Sequence, residues 1–157
     1  RGLGDVYKRQ HVDASKGMVT WAKENAVSSG LKDAPIRWLV DDCVKFVERE
    51  IRRGNTYDAI IMDPPSYGRG PKGEIWKIED AIHPLIKLCT QILSDDPLFF
   101  LVNSYTTGLA PAVLTYMLGT ELKKWNGHVD SQEIGLPVTH SGLVLPCGAS
   151  GRWCSSR

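Results

Sequence analysis

The sequence predicts an α/β fold in which a mostly parallel sheet is completed by an antiparallel hairpin at the carboxyl end. Two observations predict it. Short apolar runs alternate with helical stretches along most of the chain, as a parallel sheet requires. The last part differs, because Val129 to Leu136 and Leu143 to Trp153, joined by Pro137 to Gly142, have the pattern of an antiparallel pair.

Length and charge are those of one water-soluble domain. The chain has 157 residues, and its 19 basic side chains are nearly balanced by 18 acidic ones, so electrostatic support for nucleic acid binding is weak. It contains no run of about 18 apolar residues and no recognisable signal peptide, and we therefore expect a cytoplasmic protein with no membrane partner. The histidines are scattered, which argues against a metal site.

The first half predicts two strand–helix units. His11 to Asp13 is the end of a strand, and Ser15 caps a helix that runs to Ser29 and is closed by a glycine. Ile36 to Val40 is the next strand. Asp41 or Asp42 then caps a second helix, which ends at Gly54 and buries the residues Val44, Val47 and Ile51.

The second half continues the alternation. Tyr57 to Met62 is a buried strand, and helical spacing from about Glu74 to Leu93 predicts a helix with a kink or restart at Pro84. Leu98 to Asn103 is another buried strand. A helix over residues 111–119 begins at a proline and stops at a glycine.

A stiff loop follows the strand that ends at Met62. Its sequence is Asp63-Pro64-Pro65-Ser66-Tyr67. Neither proline has a backbone N–H, so the chain cannot continue as a ladder and must turn outward. The loop therefore presents a carboxylate, an aromatic ring and prolyl carbonyls at the carboxyl end of a strand, where open α/β sheets bind ligands.

This loop resembles the (Asp/Asn)-Pro-Pro-x-(Tyr/Phe) motif of class I S-adenosylmethionine-dependent methyltransferases. Its continuation, Gly68 to Trp76, is similar to a bacterial subgroup related to the large-subunit ribosomal RNA methyltransferases, and the resemblance extends from His11 to about Trp153. The resemblance implies the Rossmann-like methyltransferase fold, with strand order 3-2-1-4-5-7-6. The strand that ends at Asp13 matches the second of these, so the first strand and its glycine-rich motif are missing.

The segment in their place contains Gly2 and Gly4, but no apolar strand precedes this pair and no helix can follow it before Asp13. We expect residues 1–10 to be a non-native or disordered tail and residues 11–157 to be a partial methyltransferase domain. Such a fragment is expected to be inactive alone, because the missing strand belongs at the centre of the sheet.

The resemblance implies a donor site for S-adenosyl-L-methionine. Asp13, followed by Ala14 and Ser15, matches the carboxylate that accepts hydrogen bonds from the ribose hydroxyls. Asp42 matches the residue that accepts from the adenine amino group, with the Cys43 backbone N–H directed at a ring nitrogen. Local helix capping is the alternative role for both aspartates, and Asp41 is the competing residue for adenine.

It also implies an acceptor site. The Asp63 carboxylate, between donor and acceptor, and the Pro64 carbonyl accept from an exocyclic amine, while Tyr67 stacks on a base or, alternatively, packs beneath the loop. Arg69 and Lys72 contact phosphate or remain solvated loop charges.

The predicted function is methyl transfer to RNA, of the ribosomal kind. C5 methylation of cytosine requires a cysteine thiolate, whereas Ser66 and the segment Asn103-Ser104-Tyr105 stand where that cysteine would be. Nitrogen or oxygen acceptors remain open. The alternative is a non-catalytic RNA-binding or interaction domain that retains the fold, and a nicotinamide-dependent oxidoreductase is a more distant one. The sequence leaves the acceptor atom and the oligomeric state open.

Overall fold

A computed structural model of the protein describes residues 9–70, 73–106 and 108–156. The chain divides after Arg53 into two compact units. In chain order the described elements are β1 (Arg9–Asp13), α1 (Lys16–Ser28), β2 (Ile36–Val40), α2 (Cys43–Arg53), β3 (Ala59–Met62), β4 (Tyr67–Arg69), β5 (Ile75–Lys77), α3 (Ile78–Thr90), β6 (Phe99–Ser104), α4 (Pro111–Glu121), β7 (Gly127–Pro137) and β8 (Val144–Ser155).

The first unit is built from two parallel strands and two helices. β1 pairs with β2 from Arg9 opposite Ile36 to Asp13 opposite Val40. Strand β1 thus begins at Arg9, two residues before the expected start of the domain. Gly2 and Gly4, considered above as a glycine-rich loop, lie outside the described residues.

The predicted caps of the first unit are confirmed. The Ser15 hydroxyl accepts a hydrogen bond from the Met18 amide at 3.3 Å and begins α1. The Asp42 carboxylate accepts one from the Lys45 amide at 2.9 Å and begins α2. Gly30 and Gly54 follow the two helices with φ angles of 75° and 67°, a backbone conformation that favours glycine.

The predicted buried face of α2 is partly wrong. Val47 is buried as expected, but the other buried residues of the helix are Phe46 and Glu50 rather than Val44 and Ile51, which are half-buried. Because the Glu50 carboxylate bonds the Arg53 guanidinium at 3.0 Å, a charged residue can occupy a buried position that hydrophobic spacing assigns to an apolar one.

The second unit contains a four-stranded sheet of order β3-β6-β8-β7. β3 and β6 are parallel, and β8 is antiparallel to both β6 and β7. The predicted hairpin is therefore confirmed, with a bulge between Ile134 and Gly135. The orders β2-β1 and β3-β6-β8-β7 agree with the order that the resemblance implies, except that no described strand takes the first position.

The helix predicted from Glu74 is wrong in its first turn. Residues 75–77 instead form β5, which pairs antiparallel with β4. Gly73, with a φ angle of 86°, makes the turn between them, and the Gly70 amide donates to the Glu74 carbonyl at 2.8 Å. Helix α3 begins at Ile78 and continues across Pro84 without a restart.

Burial distinguishes the two faces of β6 and explains where α4 ends. Alternate residues of β6 are buried, including Phe100, Val102 and Ser104. Helix α4 continues past Gly119, where it was predicted to stop, because Leu118 and Leu122 are both fully buried. A glycine inside a helix costs about 1 kcal/mol, less than burying one leucine contributes.

Candidate active site

Asp13 and Asp42 lie at the same edge of the first sheet. Asp13 is the last residue of β1, and its carbonyl accepts a hydrogen bond from the Asp41 amide at 3.0 Å. Parallel pairing thus brings the carboxyl ends of β1 and β2 together, and both chains turn into a helix directly afterwards. The sequence prediction placed these aspartates at strand ends, and the structure places both at the carboxyl edge of this sheet.

The Asp13 side chain has the local role that was considered as an alternative. One carboxylate oxygen accepts a hydrogen bond from the Ser15 amide at 2.6 Å, which holds the turn into α1. Asp13 is half-buried, whereas Ala14 and Ser15 are exposed. A carboxylate has a second oxygen and further lone pairs. The turn therefore orients Asp13 and still leaves acceptor capacity at the edge of the sheet.

Asp41 and Asp42 are distinguished by their partners. The Asp41 carboxylate forms an ion pair with Arg49 and accepts the Asp42 amide at 2.9 Å. The exposed Asp42 uses one oxygen as the cap of α2. Cys43 is the first residue of α2, and its thiol lies 3.6 Å from the Val12 carbonyl, which fastens the start of the helix to β1. Asp42 is therefore the better placed of the two aspartates to accept from a ligand.

The loop that begins at Asp63 is held by the hairpin and helix that follow it. The Trp76 indole N–H donates to the Pro65 carbonyl at 2.7 Å, and the Ile78 amide donates to the Ser66 carbonyl at 3.1 Å. Asp63 is exposed, and Pro64 is half-buried. The loop is therefore fixed by β5, a strand that the sequence did not predict, together with the first residue of α3.

A second contact joins this loop to the end of β6. The Ser66 and Thr106 hydroxyls are 2.5 Å apart, and the Thr106 amide donates to the fully buried Ser104 hydroxyl at 3.2 Å. The carboxyl ends of β3 and β6 are thereby linked through side chains. The sequence analysis did not identify Thr106 as a site residue, although Thr106 directly follows the segment Asn103-Ser104-Tyr105.

Tyr67 is available for stacking. Half of its surface, 51%, is exposed, so the packing alternative is not what the structure shows. The Arg69 guanidinium donates to the Tyr67 hydroxyl at 3.0 Å, which gives Arg69 a positioning contact instead of a purely solvated one. Lys72 lies outside the described residues. Tyr105, next to Thr106, is 57% exposed and was not among the predicted site residues.

The structure places the predicted residues in two groups. Asp13, Ala14, Ser15, Asp42 and Cys43 belong to the first unit, and Asp63, Pro64 and Tyr67 belong to the second. Each group is assembled at the carboxyl end of parallel strands, as predicted. That the three aspartates line one cleft stays a prediction.

Several known proteins are similar to this chain. No family model matches the chain. A crystal structure of a SAM-dependent methyltransferase from Agrobacterium tumefaciens is 36% identical, with a TM-score of 0.84 over 94% of this chain and 49% of that one. SMU.776, a methyltransferase solved with SAH, is 20% identical, with a TM-score of 0.73 over 92% of this chain and 38% of that one.

A curated relative has a more specific name. The ribosomal RNA large subunit methyltransferase K/L of Pseudoalteromonas atlantica is 35% identical over 78 residues, which are 49% of this chain. The match spans 11% of that relative's own length.

The chain has the Rossmann-like fold of the class I S-adenosylmethionine-dependent methyltransferases, and its strand order, its Asp63 loop and these likenesses make it similar to members of that class. Within that class the chain is related to the bacterial ribosomal RNA large-subunit methyltransferases. In the part of the chain that the structure describes, no helix is long and apolar enough to cross a lipid bilayer.

Proposed function

We propose that the protein transfers a methyl group from S-adenosylmethionine to a nitrogen or oxygen atom of RNA, with large-subunit ribosomal RNA as the substrate class. One observation carries this proposal. The Asp63 loop stands at the end of β3, bonded to Trp76, Ile78 and Thr106, in a chain of the methyltransferase class. A loop fixed from three sides suits a reaction that depends on alignment.

The residues of the first unit fit the methyl donor. Asp13 and Asp42 offer carboxylate oxygens, which are acceptors only, and the ribose hydroxyls and the adenine amino group are donors. We assign Asp13, with Ala14 and Ser15, to the ribose, and Asp42 and Cys43 to the adenine. When bound, S-adenosylmethionine supplies a methyl group on a positively charged sulfur, from which a nucleophile can take it.

The residues of the second unit are assigned to the acceptor. The Asp63 carboxylate and the Pro64 carbonyl accept hydrogen bonds from an exocyclic amine and thereby direct the nitrogen lone pair toward the methyl group. Tyr67 stacks on the base, and Arg69 holds the tyrosine ring through its hydroxyl. These contacts align the acceptor and increase its electron density at the reacting atom.

The Ser66 hydroxyl argues against C5 methylation of cytosine. Its oxygen is bonded to the Thr106 hydroxyl, and no histidine or other base partner of Ser66 appears among the described residues. A serine without a general base is too weak a nucleophile to attack the pyrimidine ring. The proposal is accordingly limited to nitrogen and oxygen acceptors.

The test uses the full open reading frame that contains this chain, with tritiated S-adenosylmethionine and a large-subunit ribosomal RNA transcript. We expect label in the RNA, and we expect Asp63→Ala to reduce turnover by at least about 100-fold with little change in donor affinity, since the lost contact acts on alignment. The control is Asp58→Ala, an exposed aspartate that precedes β3 at its opposite end.

Three outcomes separate the candidate functions. Labelled RNA that depends on Asp63 supports the proposal. Tight RNA binding without methyl transfer would instead support a non-catalytic RNA-binding domain. Unchanged turnover in Asp63→Ala together with a collapse of donor affinity would show that the role given to Asp63 is wrong.

A further inference from the structure

An open cavity of about 270 Å³ lies beside the Asp63 loop in the second unit. Thr106, whose hydroxyl is 2.5 Å from that of Ser66, forms part of its wall. Asp63, Pro64 and Tyr67 are not among its lining residues. The residues that line it are Thr106, Gly108, Leu109, Ala110, Pro111, Glu133, Pro146 and Gly148. The cavity is therefore a neighbour of the proposed acceptor site and separate from it.

The register of the hairpin brings Glu133 to this cavity. In the antiparallel pair, Glu133 of β7 is opposite Ala149 of β8. Gly148, the residue before Ala149 in β8, has a φ angle of 145°, and a Cβ atom there would overlap the carbonyl oxygen of Ser104. Only glycine allows β8 to approach the end of β6 so closely. This approach carries Glu133 to the carboxyl end of β6.

The cavity wall is mostly apolar and has two polar side chains. Leu109, Ala110, Pro111 and Pro146 are apolar, Thr106 has a hydroxyl group, and Glu133 is the one ionisable group among the described lining residues. Pockets for small flat ligands combine apolar walls with a few polar groups that fix orientation, typically in volumes from about 300 Å³ upward. A cavity slightly below that size suits a single planar ring system with an N–H edge.

We propose that this cavity binds the base of a nucleotide adjacent to the methylated one, and that Glu133 selects a base with an exocyclic amine there. This inference rests on the proposed function. Carboxylates accept from base amines, as Glu and Asp do from the amino group of cytosine. A uracil presents carbonyl oxygens in the corresponding position, which a carboxylate repels. Glu133 is thus a specificity-determining residue for sequence context and not a catalytic one.

The test begins with the full open reading frame and the large-subunit ribosomal RNA transcript, in which mass spectrometry locates the methylated nucleotide. Synthetic RNA oligonucleotides spanning that site are then compared in pairs. Each neighbouring base is replaced by its counterpart without the exocyclic amine, with uridine for cytidine, inosine for guanosine and purine riboside for adenosine. We expect one replacement to lower kcat/KM about 10- to 100-fold, because it leaves a carboxylate without its donor.

Variants of Glu133 test whether this residue causes the difference in kcat/KM between the paired oligonucleotides. Glu133→Ala should methylate the paired oligonucleotides equally, whereas Glu133→Gln, which keeps an acceptor oxygen, should retain part of the preference. The control is Asp130→Ala on the same strand, whose carboxylate is exposed, bonds Arg152 at 3.0 Å and does not line the cavity. Asp130→Ala should discriminate as the wild type does. Thermal melting of each variant checks that the fold is retained.

Failure of this inference differs from failure of the proposed function. If the oligonucleotides are methylated and Glu133→Ala keeps the full discrimination, or if the wild type discriminates at neither neighbour, the role of Glu133 is overturned while methyl transfer to RNA stands. If no ribosomal RNA is methylated, the proposed function fails and this inference fails with it.

Discussion

At the scale of single residues, the two adjacent aspartates after β2 show how tertiary contacts divide roles that sequence leaves ambiguous. Asp41 and Asp42 are equivalent in the sequence pattern. In the structure, the carboxylate of Asp41 is paired with Arg49, and that of Asp42 caps α2 at an exposed position. The Arg49 contact is eight residues away along the chain, so neighbouring residues could not reveal it.

This difference leads to a prediction for donor binding. Asp42→Ala should raise the Kd for S-adenosylmethionine up to about tenfold, the equivalent of one hydrogen bond, whereas Asp41→Ala should leave it within about twofold. Isothermal titration calorimetry on the full open reading frame measures both. A larger effect from Asp41→Ala than from Asp42→Ala would show that Asp41, not Asp42, contacts the adenine.

The exposed Tyr67 carries a second prediction at this scale. If its ring stacks on a base, Tyr67→Ala should weaken RNA affinity by about 1–3 kcal/mol, and Tyr67→Phe should retain most of it. Electrophoretic mobility shifts with the large-subunit ribosomal RNA transcript provide the measurement. Equal losses in the two variants would indicate that the hydroxyl bonded to Arg69, rather than the ring, is responsible.

At the scale of elements, local signals predicted most of the helices and strands, and long-range pairing decided the exceptions. The caps at Ser15 and Asp42 and the hairpin β7–β8 followed from short patterns. Strand β5 did not, because its residues continue the helical spacing of α3 and become a strand only by pairing with β4. Thr106 and Glu133 were not predictable for the same reason, since each reaches its site through contacts between distant segments.

Replacing either of two glycines by alanine should change the free energy of unfolding, in opposite directions. Gly148→Ala should lower the free energy of unfolding by at least about 1–3 kcal/mol, because its φ angle is unfavourable and the added carbon overlaps the Ser104 carbonyl. Gly119→Ala, inside α4 with open space around it, should raise that free energy by about 0.5–1 kcal/mol. Urea denaturation measures both changes. A neutral Gly148→Ala would contradict the close approach of β8 to β6.

At the scale of the whole molecule, each of the two main sheets has the strand order of part of the methyltransferase pattern, and no described strand takes the first position of that pattern. The orders β2-β1 and β3-β6-β8-β7 were predictable from the family resemblance that the Asp63 motif carries. In the class, the glycine-rich turn belongs to the first position. The described residues include those proposed to contact the ribose and the adenine, and no such turn is among the described residues.

The most direct test of the central claim is donor choice, measured by titrating the full open reading frame with S-adenosylmethionine and, separately, with NAD. A class I methyltransferase should bind S-adenosylmethionine in the micromolar range, with affinity reduced by Asp42→Ala, and should give no heat of binding with NAD. Binding of NAD without binding of S-adenosylmethionine would contradict the methyltransferase account and favour an oxidoreductase.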